Sequence, residues 1–224
     1  MPKWLKMTFL VVLLFSPLCA RADESLLTIL QGIQKHYGGL PGLTLPYERA
    51  VITKSMALLG DQMKSDLATG RIFFKPPHFL RIEQEKPAPE SVISDGDTLW
   101  WYNPKKSEVF RYKSSKLGHE LKLLGEIFQG LRGVEESFMV VLAGTDEGGN
   151  YRLELTPKPP WPDITDILLT VARGDYHITV MEIHNVIGGL TRFTLGPPTA
   201  QKTFEPGFFQ FQPPDGVRVI EGEG

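Results

Sequence analysis

Thiols are nearly absent from this 224-residue chain, whose one cysteine is Cys19. An intramolecular disulfide is therefore excluded, and so is a metal site built on several cysteines. Histidine is also sparse: His36, His78, His119, His177 and His184 are scattered, and no two stand at a spacing that builds a metal site on one element. The nearest pair, His177 and His184, is an odd number of residues apart and points to opposite faces of a strand. Neither a metal nor a cofactor is expected. Positive charge has no excess either, with 24 Lys and Arg against 26 Asp and Glu, which disfavours nucleic acid and anionic membranes as partners. Beyond the N-terminus no apolar run approaches the roughly 20 residues of a membrane-crossing helix.

The N-terminus is what the rest of the chain is not. Lys3 and Lys6 precede an apolar run over residues 7–15, and Ala20-Arg21-Ala22 places small residues at the first and third positions before a cut between Ala22 and Asp23. This reads as a secretory signal peptide over 1–22, followed by a single domain over 23–224 with no linker inside it. The apolar core is too short for a membrane anchor. Lipidation at Cys19 is the alternative processing, but Leu18 stands where a small residue usually precedes such a cysteine. Removing 1–22 takes away Lys3, Lys6, Arg21 and the only thiol. It leaves 21 basic residues against 26 acidic ones, a net charge of about −5.

Periodicity then sorts the domain. Leu26, Leu30, Ile33 and Tyr37 recur at steps of three and four and predict a helix over 24–37, stopped by Gly38-Gly39. The period changes to two afterwards, predicting strands at 47–56, 70–75 and 79–85. Residues 91–102 read as a hairpin with Asp95-Gly96 as its two-residue turn. Counting outward sets Ser94 against Asp97, Ile93 against Thr98 and Val92 against Leu99. Val92, Leu99 and Trp101 then share one face, and Trp100 and Tyr102 the other.

Helical spacing returns over 116–131, where Leu117, Leu121, Leu124, Phe128 and Leu131 form one stripe, and residues 134–143 extend it as a second short helix up to Gly144. Alternation resumes at 151–155, 166–172, 176–184, 191–195 and 208–211, with turns at Gly174-Asp175 and Gly188-Gly189. The class is α+β, mainly β: a strongly curved antiparallel sheet, or unclosed barrel. Short helices form a lid on its concave face, the one apolar surface able to cover their stripes.

Candidates for catalysis are wanting. Ser94 lacks the glycine-flanked strand-to-helix elbow of a nucleophile, Glu83, Glu85 and Glu90 alternate or flank prolines as a solvated strand face does, and no glycine loop joins a strand to a helix. No catalytic residue is assigned. What the chain does have is aromatic and aliphatic bulk on strands whose two faces both look apolar, at Phe73-Phe74, at 99–102 and at Phe208-Phe209. An ordinary core accounts for this, and so does a cavity for acyl chains, where each buried methylene is worth about 0.8 kcal/mol.

Residues 70–104 read GRIFFKPPHFLRIEQEKPAPESVISDGDTLWWYNP. With Leu155-Thr156-Pro157-Lys158 and the closing Phe209-Gln210-Phe211-Gln212-Pro213-Pro214-Asp215-Gly216-Val217, the chain resembles the LolA family of lipoprotein carriers over about residues 24–220. The resemblance implies an unclosed barrel with a helical lid over an apolar cavity. It also implies a periplasmic, monomeric protein whose cargo is acylated lipoproteins. An inner-membrane ABC transporter would load it and an outer-membrane lipoprotein receptor would unload it. By matching position Leu80, Ile82 and Val92 line the cavity, and the hairpin count adds Leu99 and Trp101; Tyr37, Leu117, Leu121, Leu124 and Phe128 form the underside of the lid.

One departure stands out. Some relatives latch the lid with an arginine immediately before the proline of the strand turn, and here Pro76 holds that position and has no donor to offer. Lys75 or another group must substitute, or apolar contact alone holds the lid. Two further roles fit the resemblance less well: a LolB-like outer-membrane receptor or lipoprotein-sensing domain of the same fold, and a periplasmic enzyme acting on lipids.

Overall fold

The computed structural model describes residues 24–59, 66–113 and 119–222. The expected signal peptide, Cys19 and Leu117 lie outside the described residues. The elements run α1 (Leu26–Tyr37), β1 (Leu43–Ile52), α2 (Lys54–Leu59), β2 (Asp66–Lys75), β3 (Phe79–Lys86), β4 (Glu90–Ser94), β5 (Thr98–Asn103), β6 (Glu108–Lys113), α3 (His119–Phe128), α4 (Val134–Ser137), β7 (Phe138–Thr145), β8 (Tyr151–Pro157), β9 (Ile164–Val171), β10 (Ile178–Asn185), β11 (Leu190–Leu195), β12 (Thr199–Ala200) and β13 (Arg218–Glu221).

Among the described residues the strands form one sheet in the order β13-β6-β5-β4-β3-β2-β1-β11-β10-β9-β8-β7, with β12 beside β1. Pairing of β1 with β11 joins an early meander to a late one, and the two end strands do not meet. The barrel is therefore unclosed. It is also mixed, because β13 runs parallel to β6 while the other pairs are antiparallel.

Across β1 to β6 the registers align Leu43, Phe74, Leu80, Ser94, Leu99 and Tyr112 in one row, and Leu45, Ile72, Ile82, Val92, Trp101 and Phe110 in the next. Residues opposite one another share a face, so both rows lie on one side of the sheet. Against that side pack the helices. α1 starts at Ser25, whose Oγ accepts the Thr28 N–H at 3.2 Å, and buries Ile29, Ile33 and Tyr37 with Leu26 and Leu30 at the margin. α3 buries Leu123, Leu124, Ile127 and Phe128 in the same core, which the inward residues of β8 to β10 complete.

Several expectations need correction. Residues 134–143 are not a helix beyond Ser137: Phe138, Val140 and Leu142 alternate inward and the segment pairs with β8 as the end strand β7. Strand β1 stops at Ile52, because Thr53 Oγ1 accepts the Met56 N–H and turns the chain into α2. Residues 208–211 form no strand. They cross the outer face instead, with Phe208 edge-on to Phe73 at 5.1 Å and Phe211 against Trp100 and Tyr102 at 5.7 and 5.3 Å. Arg81 holds this strap twice, its guanidinium 4.7 Å from the Phe208 ring and one N–H donated to the Phe208 carbonyl at 2.8 Å. The doubly apolar strands thus have a cover on each side.

The hairpin turn is Gly96-Asp97, one residue later than expected. Asp95 Oδ1 accepts the N–H groups of Asp97 and Thr98 at 3.0 and 2.8 Å, and Gly96 alone takes a positive φ, +98°. Glycine at the first central position with a positive φ marks a type II′ turn. Ser94 therefore faces Leu99 and Val92 faces Trp101. The slip is two residues along the partner strand, so the expected grouping of faces is preserved.

Candidate functional site

Where α3 leaves the sheet, a cleft of about 770 Å³ opens between α3, the β2–β3 turn and the β4–β5 turn. Its floor is Phe74, Phe79 and Leu80; its rim carries His78, Asp95 and Asp97. The two turns touch: a Cβ on Gly96 would lie 2.9 Å from the His78 ring, and the positive φ there independently requires glycine. The roof is one stripe of α3, formed by Leu121, Lys122, Gly125 and Glu126 at helical spacing and continued by Gln129 just past its end. Around Gly125 there is open space: beyond its chain neighbours and the helix's own backbone, no atom lies within 4 Å of where a Cβ would stand.

Of the residues expected to line a cavity, Leu80 and Leu121 border this cleft. Leu99 follows Leu80 and Ser94 along the same row and is buried, whereas Ile82 and Val92 sit one row deeper against the core. Trp101 follows Val92 in that deeper row, ahead of Phe110, with 40% of its surface exposed and its indole N–H donated to Glu90 at 3.0 Å. Leu124 and Phe128 point away from the cleft into the core, where the Phe128 ring meets Phe74 at 5.6 Å and Tyr37 at 6.4 Å. The sequence stripe was right about the helix but merged two faces of it, one packed and one facing open space.

Tyr37 belongs to a different part of the lid. Its hydroxyl accepts the Ile178 N–H at 3.0 Å, and burial pushes its pKa up to about 12, with the Ile178 bond pulling the other way. At the other end of α1, Glu24 accepts the hydroxyls of Tyr151 and Tyr176 at 2.8 and 2.9 Å, and Gly32 lies hard against the Tyr176 ring, where a Cβ would come within 2.4 Å. Both ends of α1 are tied to the sheet by polar bonds, while α3 meets it through apolar side chains.

The two helices join at a corner. Gly130, Leu131 and Gly133 all take positive φ, 82°, 54° and 67°, and a Cβ on Gly130 would collide with Gln34 of α1 at 2.9 Å. Pro76 borders a small hollow there with Tyr37, Gly38, Phe128, Gln129 and Arg132. Arg132 donates to the Gly38 carbonyl at the C-terminal end of α1, at 3.3 Å. Lys75 instead lies over the Phe79 ring at 5.5 Å.

The polar groups of the cleft have unequal company. Ser94 is buried and its Oγ accepts the Gly96 N–H at 3.3 Å. Glu126 has one carboxyl oxygen out of contact with solvent and without a hydrogen-bond partner, and burial holds its pKa above the ordinary glutamate range, against the pull of Lys122 one turn earlier. No sequence signal marks Glu126, since a glutamate on a helix normally belongs to its solvated side.

The family model for the outer membrane lipoprotein carrier protein LolA matches residues 57–212. An outer-membrane lipoprotein carrier protein of Alkalilimnicola ehrlichii is 30% identical over 160 residues, 70% of each chain. One from Methylococcus capsulatus is 28% identical over 153 residues, 68% of this chain and 71% of its own. A solved structure of an uncharacterized conserved protein from Thermus thermophilus matches with a TM-score of 0.52 at 11% identity, covering 88% of this chain and 98% of that one, a likeness of fold alone.

Proposed function

The chain belongs to the LolA family of outer membrane lipoprotein carriers, periplasmic proteins that transport and do not catalyse, and from that premise we infer that it binds the acyl chains of lipoproteins and carries them from the inner to the outer membrane. In this reading residues 1–22 export it, residues 23–224 are one carrier domain, and it acts as a monomer. An inner-membrane ABC transporter loads it and an outer-membrane lipoprotein receptor unloads it. The cargo tails enter over Leu80 and spread beneath α3 toward Ile82, Val92, Leu99 and Trp101.

The observation that supports this most is the cleft of about 770 Å³ roofed by a helix that inserts Leu123, Leu124, Ile127 and Phe128 into the concave side of the sheet. Burying such side chains is worth about 1.5–3 kcal/mol each, roughly 6–12 kcal/mol for the four. An acyl chain of about 15 methylenes recovers roughly 12 kcal/mol on the same scale. Lid and cargo are therefore near-equal competitors for one apolar surface. That is the condition for a carrier that fills without trapping its load, and cargo then passes to whichever receptor binds it more tightly.

Native mass spectrometry of the protein released from its own periplasm tests the reading. A chain starting at Asp23 and carrying acylated species is expected. A Gly125→Phe variant, which fills open space without entering the core, should carry at least tenfold less. Protein recovered free of any acylated ligand would sink the carrier reading, and a chain starting at a diacylated Cys19 would make it a receptor.

A further inference from the structure

Glu126 is the one group in the cleft whose chemistry the protein leaves unfinished. A carboxyl oxygen removed from water without a donor is costly, and native structures ordinarily provide one. Glu126 stands on the cleft-facing stripe of α3, beside Gly125, where the roof is left open. Its unpartnered oxygen is out of contact with solvent in the empty protein, so a ligand group reaches it only once α3 lifts from the sheet; the cleft that the Glu126 side chain borders has an apolar floor. The other titratable groups that line the cleft are Lys122 on the same helix, Asp95 and Asp97 on one turn and His78 on the other. Three carboxylates against a single ammonium make the rim acidic.

We propose that Glu126 is the hydrogen-bond acceptor for an N–H group on the head of the acylated ligand, so that the cleft takes acyl tails joined to an amine or amide in preference to tails alone. This rests on the carrier reading and adds to it the chemistry of the cargo's head. The N–H has two possible sources, the free ammonium of a diacylated N-terminal residue and the amide of an N-acylated one. Both satisfy the oxygen, and the acidic rim favours the first. An ester or carboxylate head offers only acceptors and leaves Glu126 as it is in the empty protein.

Calorimetric titration of the full exported chain with three dipalmitoyl probes tests the assignment: a lipopeptide with a free α-ammonium, the same lipopeptide N-acetylated, and an ester whose head has no N–H. Wild type should bind one or both N–H heads at least tenfold tighter than the ester. Glu126→Leu should erase that margin, bringing all three probes within twofold of one another. Glu126→Gln, which keeps a carbonyl acceptor without charge, should lose the ammonium margin and retain the amide one, and the head affected identifies the source. A margin that survives Glu126→Leu, or equal affinity of wild type for all three probes, overturns the role of Glu126 while the bound tails leave the carrier reading standing. Failure of wild type to bind any of the three sinks both.

Discussion

At the scale of the residue, Glu126 makes the empty protein less stable than it needs to be. Burial raises its pKa, so the folded state binds its proton more readily than the unfolded chain does. Stability therefore falls as pH rises from the ordinary glutamate range through the raised value. Glu126→Gln should unfold at higher urea concentration than wild type at pH 7.5, with the difference shrinking at pH 4; equal midpoints at pH 7.5 would count against the buried carboxylate. Residue identities of this kind are hard to read in a sequence. Leu121 and the grouping of Val92, Leu99 and Trp101 followed from spacing and alternation, because burial repeats with the period of the element, whereas Leu80 came from the family resemblance. Glu126 and Arg132 did not, since an unpaired oxygen or a bond to a distant carbonyl depends on elements brought together only by the fold.

At the scale of the element, α1 and α3 both present apolar stripes to the sheet yet are held differently. Tyr37 and Glu24 bind α1 through hydrogen bonds at its two ends, and its Ser25 cap adds about 1 kcal/mol. For α3 the corresponding contacts are apolar, and its C-terminal end is fixed to α1 by the close approach of Gly130 to Gln34. Hydrogen exchange on the empty protein should show α3 opening well before α1, with loading by a lipopeptide changing the protection of α3 and leaving that of α1 as it was. Equal protection of the two helices would place the moving part elsewhere. Both helices were legible because a 3.6-residue stripe is unambiguous over three turns. Residues 134–143 were not: Glu135 and Glu136 favour a helix, the apolar run after them has no decisive period, and only pairing with β8 makes it a strand.

At the scale of the whole molecule, one sheet is clad on both sides, by helices within and by residues 204–211 without. The curved, unclosed sheet was readable from the number of short alternating segments and their turns. The outer strap was misread as a strand, because Phe208, Phe209 and Phe211 look like strand residues until Phe73, Trp100 and Tyr102 are seen to need a cover. Phe211→Ala should lower stability by about 2 kcal/mol, less than a fully buried phenylalanine costs, while lipopeptide binding stays within twofold of wild type. A matching loss of binding would show that the outer cladding takes part in loading.

If α3 lifts as the carrier reading requires, the corner of positive φ angles at Gly130, Leu131 and Gly133 sets the geometry of that opening. A ten-residue helix is about 15 Å long, so α3 is a lever of that length whose fulcrum is the end nearest α1. A tilt of about 20° lifts its far tip by roughly 5 Å, more than the spacing of about 4 Å at which carbon atoms touch. On the carrier reading proposed above, the first alkyl tail would wedge in at the tip before the four core side chains at the pivot had fully let go. Each further increment of tilt would then be driven by the chain already inside, and entry on that reading would be a zipper rather than a door.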